Sequence, residues 1–131
     1  MALEKDKKDI SYQYGRLLAV LEKEERDTYS KGESREPNAI RLQSVFCSRP
    51  FQTTETIIRQ LKRGYLPRLP VGLQSFYERL IGEIMENISE FPDSQQKAPL
   101  KETYIMGYYL QKNALYTKQN EMIEMEETEN E

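Results

Sequence analysis

Apolar positions recur along this chain at helical rather than strand spacing. In SYQYGRLLAVLEKEERDTYS, Tyr14, Leu17, Leu18 and Leu21 fall at i, i+3, i+4 and i+7, one stripe of an α-helix, with Ser11 as candidate N-cap. The polar run KGESREPNAI, holding Gly32 and Pro37, predicts a loop. A short element follows over Ile40 to Phe46, after which Ser48 and Pro50 predict a cap and a first turn. From there Phe51, Thr54, Ile58, Leu61 and Tyr65 alternate at spacings of three and four, a heptad-like seam ended by Gly64 and Pro67. A third long helix, from Gln74 to Glu90, is expected to bury Phe76, Tyr77, Leu80, Ile81, Ile84 and Ile88 before Phe91-Pro92-Asp93 stops it. SQQKAP predicts another loop, and a last helix from Leu100 to Lys118 carries Tyr104, Ile105, Tyr108, Leu110 and Leu115.

No stretch alternates apolar and polar residues over strand length with β-branched enrichment. The expected fold class is all-α. A compact bundle of four to five helices should span residues 1–118, with an acidic tail over 119–131 that is solvated and disordered. Gly15, Gly82 and Gly107 lie inside predicted helices, where each costs ~1 kcal/mol relative to Ala. Close approach of helix backbones is the expected reason, and a ligand contact is the alternative.

Composition narrows the class without changing this picture. A chain of 131 residues suits one domain with one core, and 37% apolar against 31% charged residues makes that core thin. No run reaches the ~18 uninterrupted apolar residues of a membrane span. The opening MALEKDKKDI lacks the apolar block of a secretory signal. A single cysteine, Cys47, excludes an internal disulfide and fits a reducing compartment. A soluble, cytoplasmic protein with no membrane partner is expected.

Charge adds more, because it is unevenly placed. The net charge is −3, yet the segment from Glu121 to Glu131 holds six Glu and no Lys or Arg, leaving the body at +3. Between Pro37 and Tyr77 the positive residues Arg41, Arg49, Arg59, Lys62, Arg63 and Arg68 face Glu55 alone. On a helical wheel Gln52, Arg59 and Arg63 share one face, opposite the apolar seam, with Glu55 and Lys62 at its edges. Arg59 and Arg63, at i and i+4, repel each other slightly, and a polyanion would favour them. Such an array suits the phosphates of a single nucleic-acid strand. The bland reading stands beside it: Glu55 pairs with Arg59, Lys62 lies along the seam edge, and the face is simply wet. Tyr65 and Tyr116 are candidates for stacking on bases, although most of the nine tyrosines sit on apolar stripes. The acidic tail is either plain solvated chain or a mimic of a polyanion.

The chemistry inventory argues against an enzyme. The chain has no histidine, which removes the commonest general base and the commonest metal ligand together. Cys47 therefore has no histidine partner; a helix start beside it can activate a thiol, but a buried structural cysteine is the expected role. No zinc spacing, phosphate loop, dinucleotide fingerprint or calcium loop is present. Glu83 and Glu86 read as a solvated acidic face. No catalytic residue, cofactor or metal is expected.

A resemblance adds a biological setting. The blocks YGRLLAVLE, NAI, SVFCSRPFQTTETIIRQL, YERLIGEIMENI and GYYLQKNALY, taken in order, resemble the C-terminal helical domain of the large subunit of type I-C CRISPR effector complexes. The resemblance covers roughly Tyr12 to Lys118, and its specificity lies in the ordered set rather than in any single motif. In that family the same domain is also made separately as a small subunit, and a chain that starts at Met1 and spans this one domain resembles that product. The resemblance implies a non-catalytic Cascade small subunit that lines the path of the displaced non-target DNA strand and supports the crRNA–target duplex. Its implied partners are the backbone and large subunits, crRNA, target and non-target DNA, and another copy of itself. Arg41, Arg49, Arg59, Lys62, Arg63 and Arg68 are the candidate nucleic-acid-binding residues. The alternatives are an architectural subunit whose basic helix docks on acidic protein surface, and an inhibitor of such a complex that mimics a polyanion through its acidic tail.

Overall fold

A computed structural model of the chain describes residues 2–30, 32–64 and 66–129, with side chains as far as Lys118 apart from Leu66. Among them lie seven α-helices: α1 (Ile10–Asp27), α2 (Asn38–Arg41), α3 (Gln43–Ser48), α4 (Pro50–Gly64), α5 (Val71–Ser89), α6 (Asp93–Gln96) and α7 (Tyr104–Glu129). A 3₁₀ turn, Leu66–Arg68, joins α4 to α5, and no strand occurs among the described residues. The fold is all-α, as the spacing predicts.

Helix α1 is the axis of the bundle. Helices α2, α4, α5 and α7 all pack on it, and every residue from Ser11 to Glu25 is buried. The single stripe expected from Tyr14, Leu17, Leu18 and Leu21 is therefore only part of its buried surface. Helices on several sides enclose the polar flank as well, so Gln13, Arg16 and Glu22 to Glu25 are buried too. Its cap also differs from expectation. Asp9 accepts a hydrogen bond from the Tyr12 amide at 3.2 Å, which satisfies a first-turn donor. Ser11 instead accepts from the Lys101 amide at 2.9 Å, pinning the approach to α7.

Two glycines explain the closeness of α1 and α7. A Cβ on Gly15 would overlap the Tyr104 carbonyl, and one on Gly107 would overlap the Tyr12 carbonyl. The two helices thus meet backbone to backbone at a reciprocal pair of glycines. Gly82 has nothing within 4 Å of the corresponding position, so backbone approach does not account for it.

Helix α4 rests on α1 and α3, and those two neighbours set its inward side. Pro50, Thr53, Thr54, Ile57 and Leu61 are buried. Ile57 thus takes the place expected for Ile58, which is only partly buried against the core. Phe51, expected to open the seam, is half-buried and takes no part in the core cluster. Tyr65 lies outside the described residues. Ser48 does not cap α4; its hydroxyl donates to the Ser44 carbonyl at 3.3 Å. In α5, Tyr77, Ile84 and Ile88 are buried, while Phe76, Leu80 and Ile81 are half-buried at the core margin.

The last helix departs from expectation at both ends. Tyr104 begins it, and its backbone continues beyond Lys118 to Glu129. Glu and Met are good helix formers, and no Gly or Pro interrupts the chain between Lys118 and Glu129. Its inward stripe is Tyr104, Gly107, Tyr108, Gln111 and Leu115, whereas Ile105 is 45% exposed. No helix is long and apolar enough to cross a membrane among the described residues.

Candidate nucleic-acid interface

Six basic residues stand out in the charge pattern, and all six are exposed: Arg41, Arg49, Arg59, Lys62, Arg63 and Arg68. Helix α4 explains three of them. Burying Thr53, Thr54, Ile57 and Leu61 turns Arg59, Lys62 and Arg63 to solvent on its other side. No ion pair holds these three among the described residues, and Glu55 makes none with Arg59. Arg41, at the end of α2, donates to the Asn38 side-chain carbonyl at 2.6 Å. Arg49 sits at the junction where α3 ends and α4 begins. Arg68 closes the 3₁₀ turn.

The structure brings Arg49 to a residue the charge pattern missed. Arg49, Phe51, Gln52 and Lys97 line a cleft of about 280 Å³ between the start of α4 and the end of α6. The Lys97 ammonium lies 5.6 Å from the centre of the Phe51 ring and 3.1 Å from the Asp93 carboxylate, an exposed pair one helical turn apart. Lys97 is far from Arg49 along the chain, in a segment that reads as a loop, so no local pattern links them. Gln52 joins the cleft to the face of α4 that carries Arg59 and Arg63. Lys118 and Lys23 serve otherwise: their ammonium groups lie 4.4 Å from the Phe76 ring centre and 5.2 Å from that of Tyr116. Tyr116 is thus partnered internally.

The charges of α1 form a different population. The Arg16 guanidinium, 2% exposed, donates to Gln111 Oε1 at 2.9 Å, Gln13 Oε1 at 2.8 Å and the Lys5 carbonyl at 2.9 Å. Glu22 accepts from the Tyr108 hydroxyl at 2.6 Å and faces Lys112 at 3.3 Å. Burial, with that contact, pushes the Tyr108 hydroxyl well above its ordinary range. Glu25 accepts from the Tyr29 hydroxyl at 2.5 Å and from the Asn38 amide at 3.1 Å, supplying the N-terminal cap that α2 lacks locally. Glu22 Oε2 and Glu24 Oε2 are both buried without a hydrogen bond. Glu22 Oε2 has the Lys112 ammonium beside it, whereas desolvation, with Glu78 and Asp27 nearby, pushes the Glu24 carboxyl up to about 7. Arg16, Glu22 and Glu25 thus tie α1 to its neighbours.

Cys47 is half-buried, and its carbonyl accepts from the Leu100 amide at 2.7 Å. Glu83 and Glu86 are exposed, as a solvated face requires. No group of three Cys, Asp or Glu residues is placed to hold a metal ion among the described residues.

The family model for CRISPR-associated protein (Cas_Csd1) matches residues 1–116. No curated protein matches the chain.

Proposed function

Because the chain belongs to the CRISPR-associated Cas_Csd1 family, we propose that it is a non-catalytic subunit of a Cascade complex, the small subunit of a type I-C assembly. It grips nucleic acid through phosphates, along the displaced non-target strand and beside the crRNA–target duplex. One observation carries this reading: Arg59, Lys62 and Arg63 are exposed on one helix without carboxylate partners among the described residues. Exposed, unpaired cations at helical spacing gain more from a phosphate chain than from water, because binding releases condensed counterions. R-loop formation exchanges one duplex for another of similar stability, so modest protein contacts to the freed strand tip the balance. Its partners are then the backbone and large subunits, crRNA, both DNA strands and a further copy of the chain.

The test is Arg59→Glu with Arg63→Glu in a reconstituted complex. R-loop yield should fall, and the salt dependence of strand binding should flatten by about 1.4 log units per log unit of salt, about 0.7 for each lost phosphate contact. Full R-loops from the double mutant would defeat the reading.

An architectural role has its own supporting observation. Ile105, Met106 and Tyr109 on α7 are 45%, 42% and 57% exposed, a cluster of large apolar side chains open to a protein partner. If that apolar contact is the whole of the role, Tyr109→Glu should weaken assembly of the complex, added salt should not, and strand binding should be untouched.

A further inference from the structure

Phe51 is placed against the rule that governs the rest of α4. It is a large aromatic residue at the start of an amphipathic helix, yet it lies outside the core cluster and lines a cleft. Two cationic side chains, Arg49 and Lys97, and one amide, Gln52, complete the lining. The volume, about 280 Å³, sits at the low end of small-ligand pockets, ~300 Å³. That is room for one nucleotide unit and far too little for a duplex.

We propose that this cleft is a subsite for a single nucleotide of a single-stranded nucleic acid, with the base against Phe51 and its phosphate shared by Arg49 and Lys97. The proposal rests on the phosphate-gripping role proposed above and extends it from charge alone to a seated base. Aromatic side chains beside a basic groove are how proteins hold single strands without reading sequence. Gln52 offers both a donor and an acceptor to a base edge. Since Gln52 shares a face of α4 with Arg59 and Arg63, a strand leaving the cleft runs directly onto those two cations.

Lys97 has two contacts within the chain. It pairs with Asp93 at 3.1 Å and lies over the Phe51 ring. The ion pair is exposed and the ring contact is a single cation over one face, so both are weak: a phosphate displaces the first and a base displaces the second. Asp93 therefore competes with the ligand for Lys97. This gives the proposal an opposite-signed signature: removing the Asp93 charge should tighten binding.

The experiment measures binding of the full chain to a fluorescent oligothymidylate and to an abasic strand of the same length, across a salt series. The wild type should prefer the thymidylate by about fivefold or more. Phe51→Leu, which keeps an apolar side chain, should abolish that preference while leaving abasic binding unchanged. Asp93→Asn should tighten both strands about twofold, in line with loss of an exposed ion pair. Arg49→Gln with Lys97→Gln should lower the salt slope by about 0.7, the value for one shared phosphate rather than two. Loss of binding in Arg59→Glu/Arg63→Glu combined with indifference to Phe51, Lys97 and Asp93 would overturn the subsite alone. A wild type that binds neither strand would overturn the subsite together with the role it rests on.

Discussion

Helices α1 and α4 both carry many charged side chains, and the fold treats them in opposite ways. In α1, Arg16, Glu22 and Glu25 are buried, and each is met by hydrogen bonds from other elements. In α4, Arg59, Lys62 and Arg63 stand in water with no carboxylate beside them among the described residues. A buried charge must be partnered or it costs several kcal/mol, so its partners reveal a structural task. An exposed charge costs little to leave alone, so a row of unpaired like charges is available for a partner from outside. The number of charges is no guide here; what separates the two helices is where the counter-charge comes from.

The largest effect that tests this contrast falls on α1. Gly15→Ala forces a Cβ into the Tyr104 carbonyl, and thermal unfolding should show a loss above about 4 kcal/mol or failure to fold. Gly82→Ala, with nothing within 4 Å, should instead gain about 0.5–1 kcal/mol. Next comes Arg16→Leu, which leaves the buried Gln111 Oε1 without its donor and removes one of several donors to Gln13 Oε1 and the Lys5 carbonyl. Denaturant titration should report a loss of about 3 kcal/mol. Glu24 gives a smaller effect with a sign. Its folded carboxyl titrates at about 7 against 4.5 ordinarily, so between those values the folded state holds a proton that the unfolded chain releases. Stability therefore falls as pH rises through that window and levels off above it. Glu24→Gln should remove the slope and add about 2 kcal/mol above pH 7, below the ceiling set by about 1.4 kcal/mol per pKa unit. The smallest effect belongs to α4: Arg59→Gln with Arg63→Gln should move stability by less than about 0.5 kcal/mol while weakening strand binding. A large destabilisation there would erase the distinction between the two helices.

Much of the architecture was readable in advance because helical periodicity is a local property. The four long helices and the absence of strands among the described residues both follow from spacings of three and four. The exposure of Arg59, Lys62 and Arg63 was legible for the same reason, since an apolar seam on α4 implies a polar opposite face. What escaped were features decided by neighbours. No apolar spacing marks Gln13, Arg16 and Glu22 to Glu25, whose burial depends on helices arriving from elsewhere in the chain. The choice of Ile57 over Ile58 depends on α4 facing two partners at once, a rotation that adjacent apolar residues leave open. Lys97 escaped because the cleft joins segments that no short-range pattern connects. Gly15 and Gly107 were flagged for close packing, but only the fold pairs them with each other and leaves Gly82 without that reason.

The clasp around Arg16 has one more consequence. Arg16 and Gln13 hold the segment before α1 by main-chain oxygens, those of Lys5 and Lys7, and Asn87 on α5 reaches the same Lys5 oxygen. Peptide oxygens are identical whatever residue bears them. The path of this leading strand is thus anchored independently of its spelling, and the lysines at 5 and 7 can be exchanged for other residues, proline aside, while the strap stays fastened.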